Sequence, residues 1–121
     1  MRGRPFRAAA LAAALLVLAA CGAAAPMPTA PVGAVIVTAE HDTFTTSAVT
    51  APAGAAFTIY FENKDTSQHN VRIWKGATSL TTTEIFSGPG ARVLDVAALD
   101  PGEYRLTCDI HPAMLATLTA Q

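Results

Sequence analysis

Alternation between apolar and polar residues is the feature that most limits what this chain can fold into. Every second residue is apolar in three segments, AFTIYF at 56–61, HNVRIW at 69–74 and EYRLTC at 103–108. A period of two residues is typical of β-strands that bury one face. We therefore expect strands rather than helices in most of the chain.

Turn-forming residues separate the alternating segments at short intervals. Pro, Gly, Asn and Asp cluster at 51–54, 63–65, 87–90 and 100–102, as expected of turns between strands. Many short strands in one small domain predict an all-β fold, a single antiparallel Greek-key β-sandwich or barrel. The predicted strands cover residues 34–39, 44–50, 55–62, 69–74, 83–86, 91–96, 103–108 and 115–120.

The N-terminus has the pattern of an export signal. Three arginines precede an apolar run at 8–20, which is shorter than the roughly 20 residues of a membrane-spanning helix. The residues LAAC that end at Cys21 resemble the lipobox of bacterial lipoproteins, although an ordinary secretory signal with a chance cysteine stays open. The sequence thus predicts a signal peptide at 1–20, cleaved before a lipidated Cys21, a Cys and Ala/Pro tether at 21–33, and a folded domain at 34–121.

Charge and cysteine content narrow the partners of the folded part. Without the three arginines of the signal, five basic residues face nine acidic ones, a net charge of −4. This balance argues against binding to nucleic acid or adhesion to anionic lipid. Cys108 is the one cysteine left after Cys21, so an oxidising compartment requires that its thiol be protected by burial or by a metal. We expect a monomer.

The segment CDIHPAM at 108–114 carries the clearest chemical signal. It places Cys108, His111 and Met114 three residues apart, and His69 opens an upstream strand beside a polar turn. Two imidazoles, one thiolate and a weak thioether form the ligand set of a blue-copper site. Alternatives are a buried structural cysteine, a Cys/His nucleophile without an evident third group, and zinc, for which methionine is a poor ligand.

At these residues the chain resembles the cupredoxin family, most closely its amicyanin-type and plastocyanin-like bacterial members. The resemblance rests on HN at 69–70, SGPG at 87–90, LDPGEYRLTC at 99–108 and CDIHPAM at 108–114. It implies one type 1 copper in the domain, with His69, Cys108 and His111 as equatorial ligands and Met114 as the axial one.

The same resemblance implies roles for neighbouring residues. Asn70 would brace the loop that holds Cys108, and the ring of His111, beside Pro112, would be the exit for the electron. Many relatives have glycine where this chain has Ala116, so a requirement for positive φ there would alter the loop.

Two functional hypotheses follow. The first is a membrane-tethered type 1 copper protein, lipid-anchored outside the cytoplasm of a bacterial cell, that carries single electrons between redox partner proteins of the envelope. It would not be an enzyme and would have no small-molecule substrate. The second is a copper-binding module for copper delivery, storage or resistance.

Three further features receive a plainer interpretation. We expect His41 to be a solvated turn residue and the polar run at 63–68 to be a solvated loop. We expect Trp74 to pack in the core.

Overall fold

The computed structural model of the chain describes residues 26–121, so the signal peptide, Cys21 and the start of the tether lie outside it. This part of the chain forms strands and no helix long and apolar enough to cross a membrane. The strands are β1 Val35–Glu40, β2 Thr43–Phe44, β3 Ala48–Ala51, β4 Phe57–Asn63, β5 Gln68–His69, β6 Arg72–Lys75, β7 Thr78–Thr82, β8 Phe86–Ser87, β9 Gly90–Val96, β10 Gly102–Thr107 and β11 Leu115–Ala120.

The strands form two main sheets that pack as a sandwich. One sheet has the order β2-β1-β4-β9 and the other the order β3-β11-β10-β6-β7, while β5 and β8 pair separately. The all-β sandwich is confirmed. It is not a closed barrel, and its sheets are mixed rather than purely antiparallel, because β1 runs parallel to β4 and β3 runs parallel to β11.

The predicted strand at 44–50 is two strands in different sheets. Thr43–Phe44 pairs with β1 in the first sheet, and Ala48–Ala51 pairs with β11 in the second. The chain therefore crosses from one sheet to the other at 45–47. The predicted strand at 83–86 is also wrong, since β8 covers only Phe86–Ser87. Strand β7 at Thr78–Thr82 was not predicted, because it lies at a sheet edge and has no buried apolar face to reveal it.

The core is filled by the alternating residues that predicted the strands. Ile59 and Phe61 of β4 and Leu106 of β10 are fully buried, each contributing on the order of 1.5–3 kcal/mol by leaving water. Cys108 and Met114 belong to the same continuous core. The candidate site thus lies at one end of the sandwich and shares its rigid packing.

We call this end the site end. It is formed by the turn at 41–42 after β1, the loop at 64–67 after β4 and the loop at 108–114 between β10 and β11. Gly88 lies beside the second of these loops, where a Cβ atom would come within 2.5 Å of the Asp65 carbonyl oxygen. Only glycine permits so close a backbone approach.

Candidate metal centre

Cys108 and Met114 are the two ends of a loop closed by strand pairing. Thr107 of β10 lies opposite Leu115 of β11, so the intervening residues must turn back within a short distance. The Met114 N–H donates to the His111 carbonyl oxygen at 2.9 Å and tightens the turn. Both Cys108 and Met114 are buried, at 3% and 1% exposure.

The donor atoms of His69, Cys108 and His111 converge on one point. The Cys108 Sγ atom lies 3.8 Å from His69 Nδ1 and 3.9 Å from His111 Nδ1. The two Nδ1 atoms are 3.1 Å apart. Strand β5 supplies the first ligand and the 108–114 loop supplies the others, so residues 39 positions apart meet here.

These separations fit a metal that lies close to the plane of its three donors. If bonds of about 2.0 Å to nitrogen and about 2.3 Å to sulfur met at one point, the angles there would be about 100°, 125° and 130°. Together the three angles come within about 5° of a full circle. A tetrahedral centre would require clearly smaller angles, so the set has the trigonal shape of a His₂Cys copper site.

Asp65 fixes the tautomer of His69. Its Oδ2 atom lies 2.9 Å from His69 Nε2, and the His69 side chain is fully buried. A carboxylate accepts a hydrogen bond, so Nε2 carries the proton. The Nδ1 atom then has a free lone pair on the side where the three donor atoms converge. A carboxylate on the remote nitrogen of a ligating histidine orients the ring and makes it a stronger donor.

Asp65 is itself held by the turn after β1. Its two oxygens accept the backbone N–H groups of His41 at 2.8 Å and Asp42 at 3.0 Å. His41 and Asp42 both have positive φ, 56° and 55°, which aims these N–H groups at one acceptor. The pKa of Asp65 is lowered chiefly by the bond from the Asp42 N–H, and burial acts in the opposite direction.

A second polar cluster holds the 108–114 loop from the other side. The Asn70 side chain donates to Asp109 Oδ2 and accepts the Asp109 N–H, both at 2.8 Å. Arg72 binds the same carboxylate with two nitrogens, at 2.8 and 2.7 Å. The pKa of Asp109 is lowered chiefly by this guanidinium, so the carboxylate is ionised and the backbone next to Cys108 is pinned.

His111 differs from His69 because its edge reaches the surface. Its side chain is 30% exposed, and the Asp42 carboxylate lies 3.7 Å from its Nε2 atom. The same carboxylate oxygen lies 3.4 Å from His69 Nε2 and accepts the Ser67 hydroxyl at 2.9 Å. Among the predicted ligands, His111 is therefore the one that solvent reaches.

Ala116 leaves the loop undisturbed. It lies in β11 opposite Leu106, and among residues 26–121 only His41 and Asp42 are non-glycine residues with positive φ. The expected requirement for glycine after Met114 therefore does not arise in this chain.

The structure brings the predicted residues together. His69, Cys108 and His111 share one cluster, Met114 is buried at the end of the same loop, and Asn70 contacts that loop. Cys21 lies outside the described residues. The sequence prediction missed Asp65, because the run at 63–68 was interpreted as a solvated loop; its position four residues before His69 was the available signal.

Comparisons with known proteins place this geometry in context. A family model described as "Cupredoxin-like domain" matches residues 8–120. None of the curated protein sequences matches the chain. Amicyanin from Paracoccus versutus is a similar solved structure, with 28% identity over 76% of this chain and 85% of that chain and a TM-score of 0.61.

Two further similar structures show the same fold at lower identity. Auracyanin from Roseiflexus castenholzii has 20% identity, covers 71% of this chain and 94% of that chain, and gives a TM-score of 0.65. Auracyanin A, a "blue" copper protein from Chloroflexus aurantiacus, has 18% identity, covers 73% and 98% of the two chains, and gives a TM-score of 0.66.

Proposed function

The chain belongs to the cupredoxin-like domain family, and we propose that it is a membrane-tethered type 1 copper protein that carries single electrons between redox partners of the cell envelope. The observation that carries this proposal is the convergence of His69, Cys108 and His111 at separations that suit a trigonal copper site. Met114, buried at the end of the same loop, would supply the weak thioether donor.

The donor set favours copper over zinc. Three donors at separations that suit trigonal coordination, with a methionine in the same loop, match the copper set, whereas structural zinc sites take four strong donors in a tetrahedron. The Asp42 and Asp65 carboxylates face the remote nitrogen of His69 rather than the point where the Nδ1 atoms meet. They therefore contact this ligand from its remote side.

The surrounding residues suit electron transfer. Bound copper supplies one-electron chemistry by alternating between Cu(I) and Cu(II). The buried ligands and the two flanking clusters hold the donors in one arrangement, so little motion accompanies a change of charge, and His111 offers a short route to the surface. The proposal includes no bound substrate and no chemical transformation of one.

The membrane tether rests on the sequence. The basic and apolar N-terminus and the LAAC motif that ends at Cys21 support lipidation there, and two acyl chains are about what stable anchoring takes. The acidic folded domain would then stay at the membrane through covalent attachment and not through charge.

Redox titration in the presence of a Cu(I) chelator tests the proposal. The copper-loaded protein is reduced and reoxidised in cycles, and retained copper is measured after each cycle, with the Cys108→Ser variant as the control. A carrier keeps its copper in both states and recovers its spectrum. Transfer of copper to the chelator on reduction would contradict electron carriage and support copper delivery.

A further inference from the structure

The chain before β1 lies along the outer face of the first sheet. We call residues 26–31 the strap. The Tyr60 hydroxyl donates to the Pro28 carbonyl oxygen at 2.9 Å, and Tyr60 is only 8% exposed although it points away from the core. Residues Pro26, Met27 and Pro28 also border a groove whose other side is formed by the start of β9.

The strap has a definite direction along the sheet. Strand β1 runs from Val35 to the turn at 41–42, so its first residue marks the end opposite the site, which we call the far end. The strap turns into β1 at the far end, where the Ala34 N–H donates to the Pro31 carbonyl oxygen at 3.1 Å. The strap therefore begins nearer the site end and runs away from it.

The groove confirms where the strap begins. Its β9 side includes Gly90, which pairs with Asn63, the last residue of β4 before the 64–67 loop. That loop carries Asp65, the partner of His69. The described chain therefore meets the sheet near its site end.

This direction decides which end of the domain an N-terminal anchor holds. Cys21 precedes Pro26 by five residues, which reach at most about 18 Å. If the strap were free, the anchor would instead reach Val35 at the far end over 14 residues, up to about 50 Å. A docked strap therefore brings the site end towards the anchor, and a free one releases it.

We propose that the strap holds the site end next to the membrane, so that the electron partner is a redox protein embedded in the same bilayer. This inference rests on the proposed lipidation of Cys21. Asp42 and Asp65 make the site end acidic. This end therefore suits a partner with a basic face, and anionic lipid headgroups would repel it.

The composition of the strap suits this role. Pro26, Pro28 and Pro31 restrict their own φ angles, so the unbound strap has fewer conformations to lose when it docks. The Tyr60 hydroxyl bond to Pro28 ties the strap to the sheet, so Tyr60→Phe should loosen the strap while its contacts along β9 remain.

Paramagnetic broadening from the membrane tests the proposal without any metal. The full-length, lipidated, copper-free protein is placed in phosphatidylcholine nanodiscs that carry a nitroxide on a fraction of the headgroups. Amide NMR signals are then compared between the site end, at Asp42 and Ile110, and the far end, at Gly54 and Ala55. The expected result is broadening several-fold stronger at the site end.

Matched variants connect the result to the strap. Replacement of residues 26–31 by Gly and Ser should abolish or reverse the difference between the ends, and Tyr60→Phe should reduce it. Tyr104→Phe is the control, since it removes a hydroxyl bond to the Asp100 carbonyl oxygen at 2.8 Å and leaves the strap unchanged.

Two results would overturn the inference in distinguishable ways. Equal broadening at both ends in the lipidated protein, or a site-end excess that survives the Gly and Ser replacement, would remove the strap as the cause. An N-terminal peptide without lipid on Cys21, identified by mass spectrometry, would overturn the proposed tether together with the inference.

Discussion

The two polar clusters that flank the site, around Asp65 and around Asp109, bind different parts of it. The Asp65 cluster contacts an imidazole ring, through the 2.9 Å bond to His69. Among residues 26–121, the Asp109 cluster makes no hydrogen bond to a ligand ring. Asn70 and Arg72 bind the residue that follows Cys108 in the chain. The first cluster should therefore adjust the donor strength of a ligand, and the second should fix the position of one.

Their surroundings reinforce this difference. The Asp65 side chain is 16% exposed and that of Asp109 is 28% exposed, yet Asn70, which joins Asp109 to the core, is 1% exposed. Removing Asp109 leaves the buried Asn70 side chain without its partner. In Asp65→Asn, by contrast, one amide oxygen can still accept from His69 and Asp42, and the exposed His41 N–H that loses its acceptor can bind water, so the main change is the lost charge. The two effects can thus be separated by mutation.

Asn70→Ala should have the largest effect, on stability. The change removes the reciprocal bonds with Asp109 and leaves a backbone N–H unsatisfied, at a cost of about 2–3 kcal/mol. Urea unfolding of the metal-free protein measures it. Asp95→Ala, which removes an exposed carboxylate bonded to Thr58, is the control and should change stability by less than about 0.5 kcal/mol. Equal losses in both variants would show that Asn70 does not brace the loop.

Asp65→Asn should alter the reduction potential more than the fold. Loss of the negative charge weakens His69 as a donor and so destabilises Cu(II), which raises the potential by roughly 50–100 mV, as expected for a charge that acts at an effective dielectric constant near 20. Redox titration measures it, and Glu62→Gln, a carboxylate on β4 away from the ligands, should leave the potential unchanged. A potential that stays constant in Asp65→Asn would mean that the carboxylate only positions the ring.

Acid should destabilise the metal-free protein through both clusters, with the smallest effect of the three. The pKa values of Asp65 and Asp109 are lowered in the folded state, so their stabilisation is present above the unfolded pKa, near 3.8, and is lost as pH falls through the folded values. Unfolding free energies between about pH 6 and pH 3 should decline, less steeply in Asp109→Asn. An identical slope in that variant would exclude Asp109 from the acid response.

Local spacing made most of the site predictable. Cys108, His111 and Met114 lie in one short segment, and His69 and Asn70 are consecutive residues at a predicted strand end. Their residue types and spacing therefore indicate the chemistry before any fold is known. The strands that alternate apolar and polar residues were predicted for the same reason.

Long-range contacts were not predictable in this way. Asp65 gains its role because the turn at 41–42 meets the loop at 64–67, a meeting that no local pattern encodes. Trp74 was expected in the core, yet it is half-buried on the outer face. There its N–H donates to the Thr107 hydroxyl at 2.9 Å and Arg72 and Arg105 lie over its ring. His41 is an exposed turn residue, as expected.

The most direct test of the account is the optical and EPR spectrum of the domain from Gly22 onward, loaded with one equivalent of Cu(II). An intense blue band from sulfur-to-copper charge transfer, with narrow copper hyperfine splitting, is the predicted result, because the separations of Cys108 and the two histidines suit trigonal binding of one copper. A pale sample with the spectrum of tetragonal copper, or a blue band that persists in Cys108→Ser, would contradict the proposed site.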